Sequence, residues 1–331
     1  MNTLTGMKLS FAPEIGATLQ EQVAGILSGW TLPDLADDYL VSAMSGGGSN
    51  VNLMLEGSRH TLALRVCAPD PGRWGVDRAA SIQAQSDAAR ADLAPKIFAS
   101  TLPEGHFLCP FLPGGVMTPT RMREEGLLPA VVETLRKLHA QPTSGRDFSP
   151  FEDAAHFVKL GDAEGAVRPG EFPGMYERVR EIAQLFAEID APRAFCHSDL
   201  VPQNFIVGDR LRLIDWDYAG VGWIAFEMAS FACQAGLTDD ETETMLRLYD
   251  PEVDDSQRAR VALMRAVAGV REAAWATMAE PILSAHTTPL DGWTYQGYAS
   301  TNLSEARKVW AGAGFAEMLQ AAAHVREGAL F

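Results

Sequence analysis

The sequence predicts an α+β fold of two lobes, on three observations. Strand-type alternation and a Gly-rich turn crowd the first third of the chain. Helical periodicity dominates the remaining two thirds. One short cluster of strand-like segments, carrying several carboxylates, interrupts the helices. At 331 residues the chain exceeds the commonest single-domain size and suits two lobes. This order describes a bilobal α+β enzyme better than an alternating βαβ sheet. We divide the chain into an N-terminal β-rich lobe at 1–110, of which 1–38 is a helical extension, and a C-terminal helical lobe at 111–331.

The elements follow in order. Residues 17–28 ("ATLQEQVAGILS") place Leu19, Val23, Ile26 and Leu27 on one helical face. Tyr39–Met44, Val51–Leu55 and Thr61–Cys67 read as three strands, with "GSRH" as the second turn, and predict an antiparallel meander. Residues 79–92 predict a helix, and 94–99 lead into strands around 106–112. "LPGG" at 112–115 breaks the pattern and marks the lobe boundary. Beyond it, "PAVVETLRKLHA" (129–140) starts with proline, and 171–189 is a second helix. Thr238 stands three residues before Glu241, a capping-box spacing. Long helices are expected near 256–280 and 302–327.

Composition excludes several functions. Against 27 Lys and Arg stand 43 Asp and Glu, a formal net charge of -16, whose field repels nucleic acid and anionic membranes. Such a surface also keeps a protein soluble. The four cysteines, Cys67, Cys109, Cys196 and Cys233, form no C-x-x-C pair, so zinc-ribbon and dithiol readings find no support. The N-terminus lacks a basic and then apolar leader, and no apolar run approaches the about 18 residues of a membrane span. The expectation is a reducing, cytoplasmic setting, without nucleic-acid or membrane partners; oligomeric state is left open.

The chemistry concentrates in "FCHSDLVPQNFIVGDRLRLIDWDYAG", residues 195–220. Phosphoryl transfer needs a carboxylate to orient and deprotonate a hydroxyl, oxygen ligands for magnesium, and a cation near the donor phosphates. Asp199 and Asn204 lie five residues apart on a loop stiffened by Pro202, and Asp215 ends the alternating strand "LRLID". Asp and Asn are also ordinary turn residues. Their combination in this order favours function.

H-x-D-x-x-x-x-N followed by "IDWDYAG" resembles the signature of the aminoglycoside phosphotransferase and choline/ethanolamine kinase superfamily, closest to bacterial choline kinase-like proteins. The resemblance implies a protein-kinase-like bilobal fold and an ATP-dependent, magnesium-dependent kinase acting on a small alcohol. It makes Asp199 the catalytic base, His197 a loop brace, and Asn204 and Asp215 magnesium ligands. Asp217 falls where choline kinases carry a second acid, which binds a second metal or a backbone amide. "SGGGSN" resembles the phosphate loop, with Gly46, Gly47, Ser49 and Asn50 around the ATP phosphates. Arg65 in "LALRV" stands where choline kinases have an arginine facing the nucleotide. "CPFLPGG" resembles the hinge that receives adenine, near Cys109 and Phe111. "LRKLHAQP" (135–142) and "AFEMASFACQAGL" (225–237) also resemble family segments, with Glu227 where Asp is usual. One departure stands out: Ser81 occupies the position where the family usually has a glutamate paired to the sheet cation. Either Arg65 finds another partner or donor binding is weakened, and a nucleotide-binding pseudokinase is the alternative from a different class.

For the acceptor, Glu272, Trp275, Trp293, Tyr295 and Tyr298 fall in one late region. Aromatic faces and an acid suit a quaternary ammonium, held by cation–π attraction and negative field. The resemblance points Trp275 and Tyr298 at a choline head group. Choline is the first expectation; ethanolamine, thiamine, an aminoglycoside or a sugar are the alternatives.

Overall fold

The computed structural model describes residues 7–44, 50–142, 145–283, 294–312 and 314–331. Six strands form the N-terminal sheet: β1 (Lys8–Phe11), β2 (Asp38–Ala43), β3 (Val51–Glu56), β4 (Thr61–Val66), β5 (Ala99–Ser100) and β6 (Phe107–Pro110), in the order β1-β2-β3-β4-β6-β5. The expected meander is its centre, with β2, β3 and β4 antiparallel. Side chains alternate across it, so Val41, Leu53, Leu55, Leu62 and Leu64 are buried together against Val23 and Leu27 of α1 (Ala17–Ser28). The first 38 residues are therefore not simply a helical extension. Lys8–Phe11 pairs in parallel with β2, which its four-residue length hid from a periodicity reading.

Helix α2 (Arg78–Arg90) starts where Asp77 caps the Ala80 N–H. Its buried Ala84 and Ala88 join the larger, C-terminal core rather than the core of the sheet. The chain then crosses at Leu112–Gly115. Gly114 has φ +119, and a Cβ there would lie 2.2 Å from the Val207 carbonyl, so the crossing needs glycine.

Beyond the crossing lie α3 (Pro119–Glu124), α4 (Leu128–His139), α5 (Pro150–Ala163) and α6 (Phe172–Glu188). Two small sheets follow. β7 (Gly115–Val116), β9 (Phe205–Val207) and β10 (Leu211–Leu213) form one, and β8 (Arg193–Cys196) with β11 (Gly220–Trp223) the other. The chain closes with α7 (Ile224–Gln234), α8 (Asp239–Tyr249), α9 (Asp255–Leu283), α10 (Tyr295–Gly312) and α11 (Phe315–Ala322). The capping box forms as expected, with Thr238 and Glu241 bonding reciprocally. The single helix expected over 302–327 is instead two, α10 and α11, with Gly314 capping the second.

Helix α9 is buried nearly all round, the pattern of a central helix rather than a surface one. Gly269 lets α10 approach it closely, since a Cβ there would sit 2.5 Å from the Asn302 carbonyl. That contact sets the spacing between Glu272 and Trp275 on α9 and Tyr298 on α10.

Candidate active site

The loop after β8 is bent by backbone that few residues adopt. Ser198 has φ +66 and Asp215 φ +68, both left-handed without being glycine. Glu227 on α7 holds the first bend. Its carboxylate is fully buried and accepts the His197 and Ser198 backbone N–H groups, each at 2.8 Å. Burial pushes the carboxyl up to about 7 in spite of those two donors. Nearby, His139 Nδ1 meets the Tyr249 hydroxyl at 2.7 Å, and its Nε2 lies 4.0 Å from Glu227.

His197 is fully buried, and its Nε2 bonds the Ile214 carbonyl at 2.9 Å while its ring packs on Trp216. Burial lowers it to about 4, so it stays neutral. It links the segment after β8 to the segment after β10. The Ile214 N–H donates to the Asn204 carbonyl at 3.0 Å, lacing the same two segments.

Asp199 emerges from this frame. Burial raises its carboxyl to about 8, and the negative charges of Glu272, Asp215 and Asp217 add to the rise while Arg271 opposes it. Glu272 comes from α9 and Asp215 and Asp217 from the segment after β10, so acidic residues of two separate segments act on Asp199. Asn204 Nδ2 donates to the Asp199 carbonyl at 2.8 Å, which turns its Oδ1 to the other side.

Asp215 Oδ1 is paired with the Arg65 guanidinium at 2.7 Å. Burial raises the Asp215 carboxyl, against the pull of Arg65. Asp217 Oδ2 accepts from Arg78 at 3.0 Å, Arg65 at 3.2 Å and Asn50 Nδ2 at 3.3 Å. Although burial opposes its charge, Arg65 and Arg78 hold the Asp217 carboxyl below the usual range. The open question about Arg65 is thus answered: its partners come from the C-terminal lobe, not from α2. Ser81 hydrogen-bonds the Asp77 and Asp217 carbonyls instead. Asn50 Oδ1 accepts from Ala68 N–H and Arg78. Gly46, Gly47 and Ser49 lie outside the described residues.

At the expected hinge, Cys109 is buried in β6 opposite Ala63. The Phe111 N–H donates to the Thr61 carbonyl at 3.0 Å, continuing the β4–β6 pairing.

The residues expected at an acceptor site come together in part. Trp275 lies edge-on to Tyr298 at 6.3 Å and tilted to Tyr295 at 6.2 Å. The Tyr298 hydroxyl meets Glu272 at 3.0 Å and Gln234 Oε1 at 3.1 Å. Trp293 lies outside the described residues. Sequence reading missed Arg271 and Asp153. Arg271 is buried, bonds Glu272 at 2.5 Å and Asp153 at 2.9 Å, and stacks 4.7 Å over the Tyr218 ring. An arginine beside Glu272 inside an apolar helix was the available signal, because such a cation needs an anionic partner.

The profile of the phosphotransferase enzyme family matches residues 41–263, about two thirds of the chain. The chain belongs to the phosphotransferase enzyme family. Among curated proteins this phosphotransferase is 26% identical to Protein LicA of Haemophilus influenzae over 210 residues, 62% of this chain and 61% of LicA. It thus spans under two thirds of that relative's length. Its fold matches the choline/ethanolamine kinase family protein of Mesorhizobium loti with TM-score 0.72 at 20% identity, covering 92% of this chain and 98% of the other. The choline kinase LicA of Streptococcus pneumoniae matches with TM-score 0.69 at 19% identity, over 82% and 94%. The bilobal protein-kinase-like fold expected from the sequence is the fold of this family member. No helix among the described residues is long and apolar enough to cross a membrane.

Proposed function

We propose that this phosphotransferase transfers the γ-phosphoryl group of ATP to the hydroxyl of a small cationic amino alcohol, choline first and ethanolamine second. One observation carries the reading. The Asp199 carboxyl is raised by the charges of Glu272, which bonds Tyr298 beside Trp275, and of Asp215, which pairs with Arg65, and these support placing it between an acceptor wall and a phosphate corner. A base between an acceptor wall and a metal-and-phosphate corner is the arrangement that direct transfer needs.

Asp199 would orient the acceptor hydroxyl and take its proton. The donor set fits magnesium: Asp215 and the turned Asn204 Oδ1 are hard oxygens on two laced segments. Bound magnesium supplies neutralisation of phosphoryl charge. Arg65, now hydrogen-bonded to Asp215 at 2.7 Å, would serve the phosphates once Asp215 holds the metal. Glu272 and the two aromatic faces would hold the cationic head group, and negative potential at that wall favours it.

Two results are expected. Asp215→Ala should weaken Mg-ATP binding by tenfold or more, read by titration calorimetry; unchanged magnesium dependence would remove Asp215 from the ligand set. Trp275→Ala should raise KM for choline several-fold more than KM for ATP. Equal effects on both would make Trp275 a packing residue. The function itself is tested by coupled ADP release over choline, ethanolamine, thiamine, aminoglycosides and sugars. ADP binding without turnover on any of them would favour the pseudokinase reading instead.

A further inference from the structure

Arg65 points from the sheet into a buried corner, and a buried guanidinium needs an anion. Helix α2 packs beside that corner and offers none. Asp77 is spent capping the helix, Asp87 pairs with Arg90, and the buried polar positions are Arg78, Ser81 and Gln85, the last bonded to the Pro95 carbonyl. The helix contributes a second cation where an acid would be expected. Both guanidiniums converge on one oxygen, Asp217 Oδ2, which also accepts from Asn50.

We propose that Asp217 is a positioning residue that takes the place of a helix carboxylate, holding Arg65, Arg78 and Asn50 in register across the two lobes, rather than a metal ligand. The inference rests on Arg65 being the phosphate cation of the proposed function. Charge counting supports it. When Asp215 is given to the metal, two guanidiniums share one carboxylate, and the corner keeps one surplus positive charge, the sign a polyphosphate requires. Using Asp217 on metal as well would leave both buried cations without their anion.

The substitution set is Asp215→Asn, Asp217→Asn, Asp217→Asn/Ser81→Glu and Arg65→Ala. Two quantities are read: kcat/KM for ATP with choline as acceptor, and the gain in ADP affinity when magnesium is added, by calorimetry. Asp217→Asn should lower kcat/KM about tenfold or more, yet keep the magnesium gain within about twofold of the parent, whereas Asp215→Asn loses that gain. Ser81→Glu lies within reach of the same corner, since the Ser81 hydroxyl is 3.4 Å from the Asp217 carbonyl, and should restore most of kcat/KM. Loss of the magnesium gain in Asp217→Asn, absence of rescue, or parental kcat/KM each overturns the proposal. If the protein turns over no acceptor, the magnesium gain alone decides. If Arg65→Ala leaves both quantities unchanged, the assignment of the nucleotide site fails, and not merely the role of Asp217. Should Asp217→Asn not fold, Asp217→Glu is read by the same two quantities.

Discussion

Asp199→Asn is expected to lower kcat by about 10²–10⁴-fold, the usual contribution of a general base, and at the same time to raise the melting temperature at pH 8. The second effect follows from the raised carboxyl. The folded Asp199 titrates at about 8 against an ordinary 3.8, so the native state keeps a proton that the unfolded chain has lost. Its favourable contribution is complete below the unfolded value and disappears as pH rises through the folded value. Asparagine carries no charge at any pH and escapes that loss. The melting-temperature gain of the variant should therefore grow from pH 5 to pH 8 and then level. In the parent protein, log kcat/KM should climb with pH until Asp199 is ionised near 8 and then flatten. Near-parental kcat in the variant would remove Asp199 from the role of base, and a parent profile flat from pH 6 to 9 would show that its carboxyl is already ionised at pH 6.

Glu227→Ala has the second-largest expected effect. Substitution leaves the His197 and Ser198 N–H groups buried with no acceptor, each costing about 1–3 kcal/mol. A loss of about 2–6 kcal/mol in unfolding free energy is expected from denaturant titration, and kcat should fall with it, because the strained bend at Ser198 depends on those two bonds. Glu227→Gln retains one acceptor oxygen and should fall between parent and alanine. A denaturation midpoint and kcat in Glu227→Ala matching the parent would show that the bend holds itself.

Helix α1, the β2–β3–β4 meander, the capping box before α8 and the loop that carries Asp199 and Asn204 were legible because each is a local pattern. Periodicity, turn residues and a fixed spacing of Asp199, Asn204 and Asp215 carry them. The strand β1 was not legible: four residues carry too little periodicity, and only pairing with β2 defines it. The split between α10 and α11 was missed because an alanine-rich stretch with helical character runs across Gly312 and Gly314.

By itself the sequence determined which groups are available: carboxylates and an amide on one short loop and strand end, a sheet arginine, and aromatic residues with an acid late in the chain. The tertiary structure decided their partners. Arg65 meets Asp215 and Asp217 from 150 and 152 residues away, Arg271 finds Asp153, and Glu227 holds a loop 30 residues upstream. Sequence spacing cannot supply such pairings, because burial forces each charge onto whatever counter-charge the packed core brings within reach, and that depends on the whole fold.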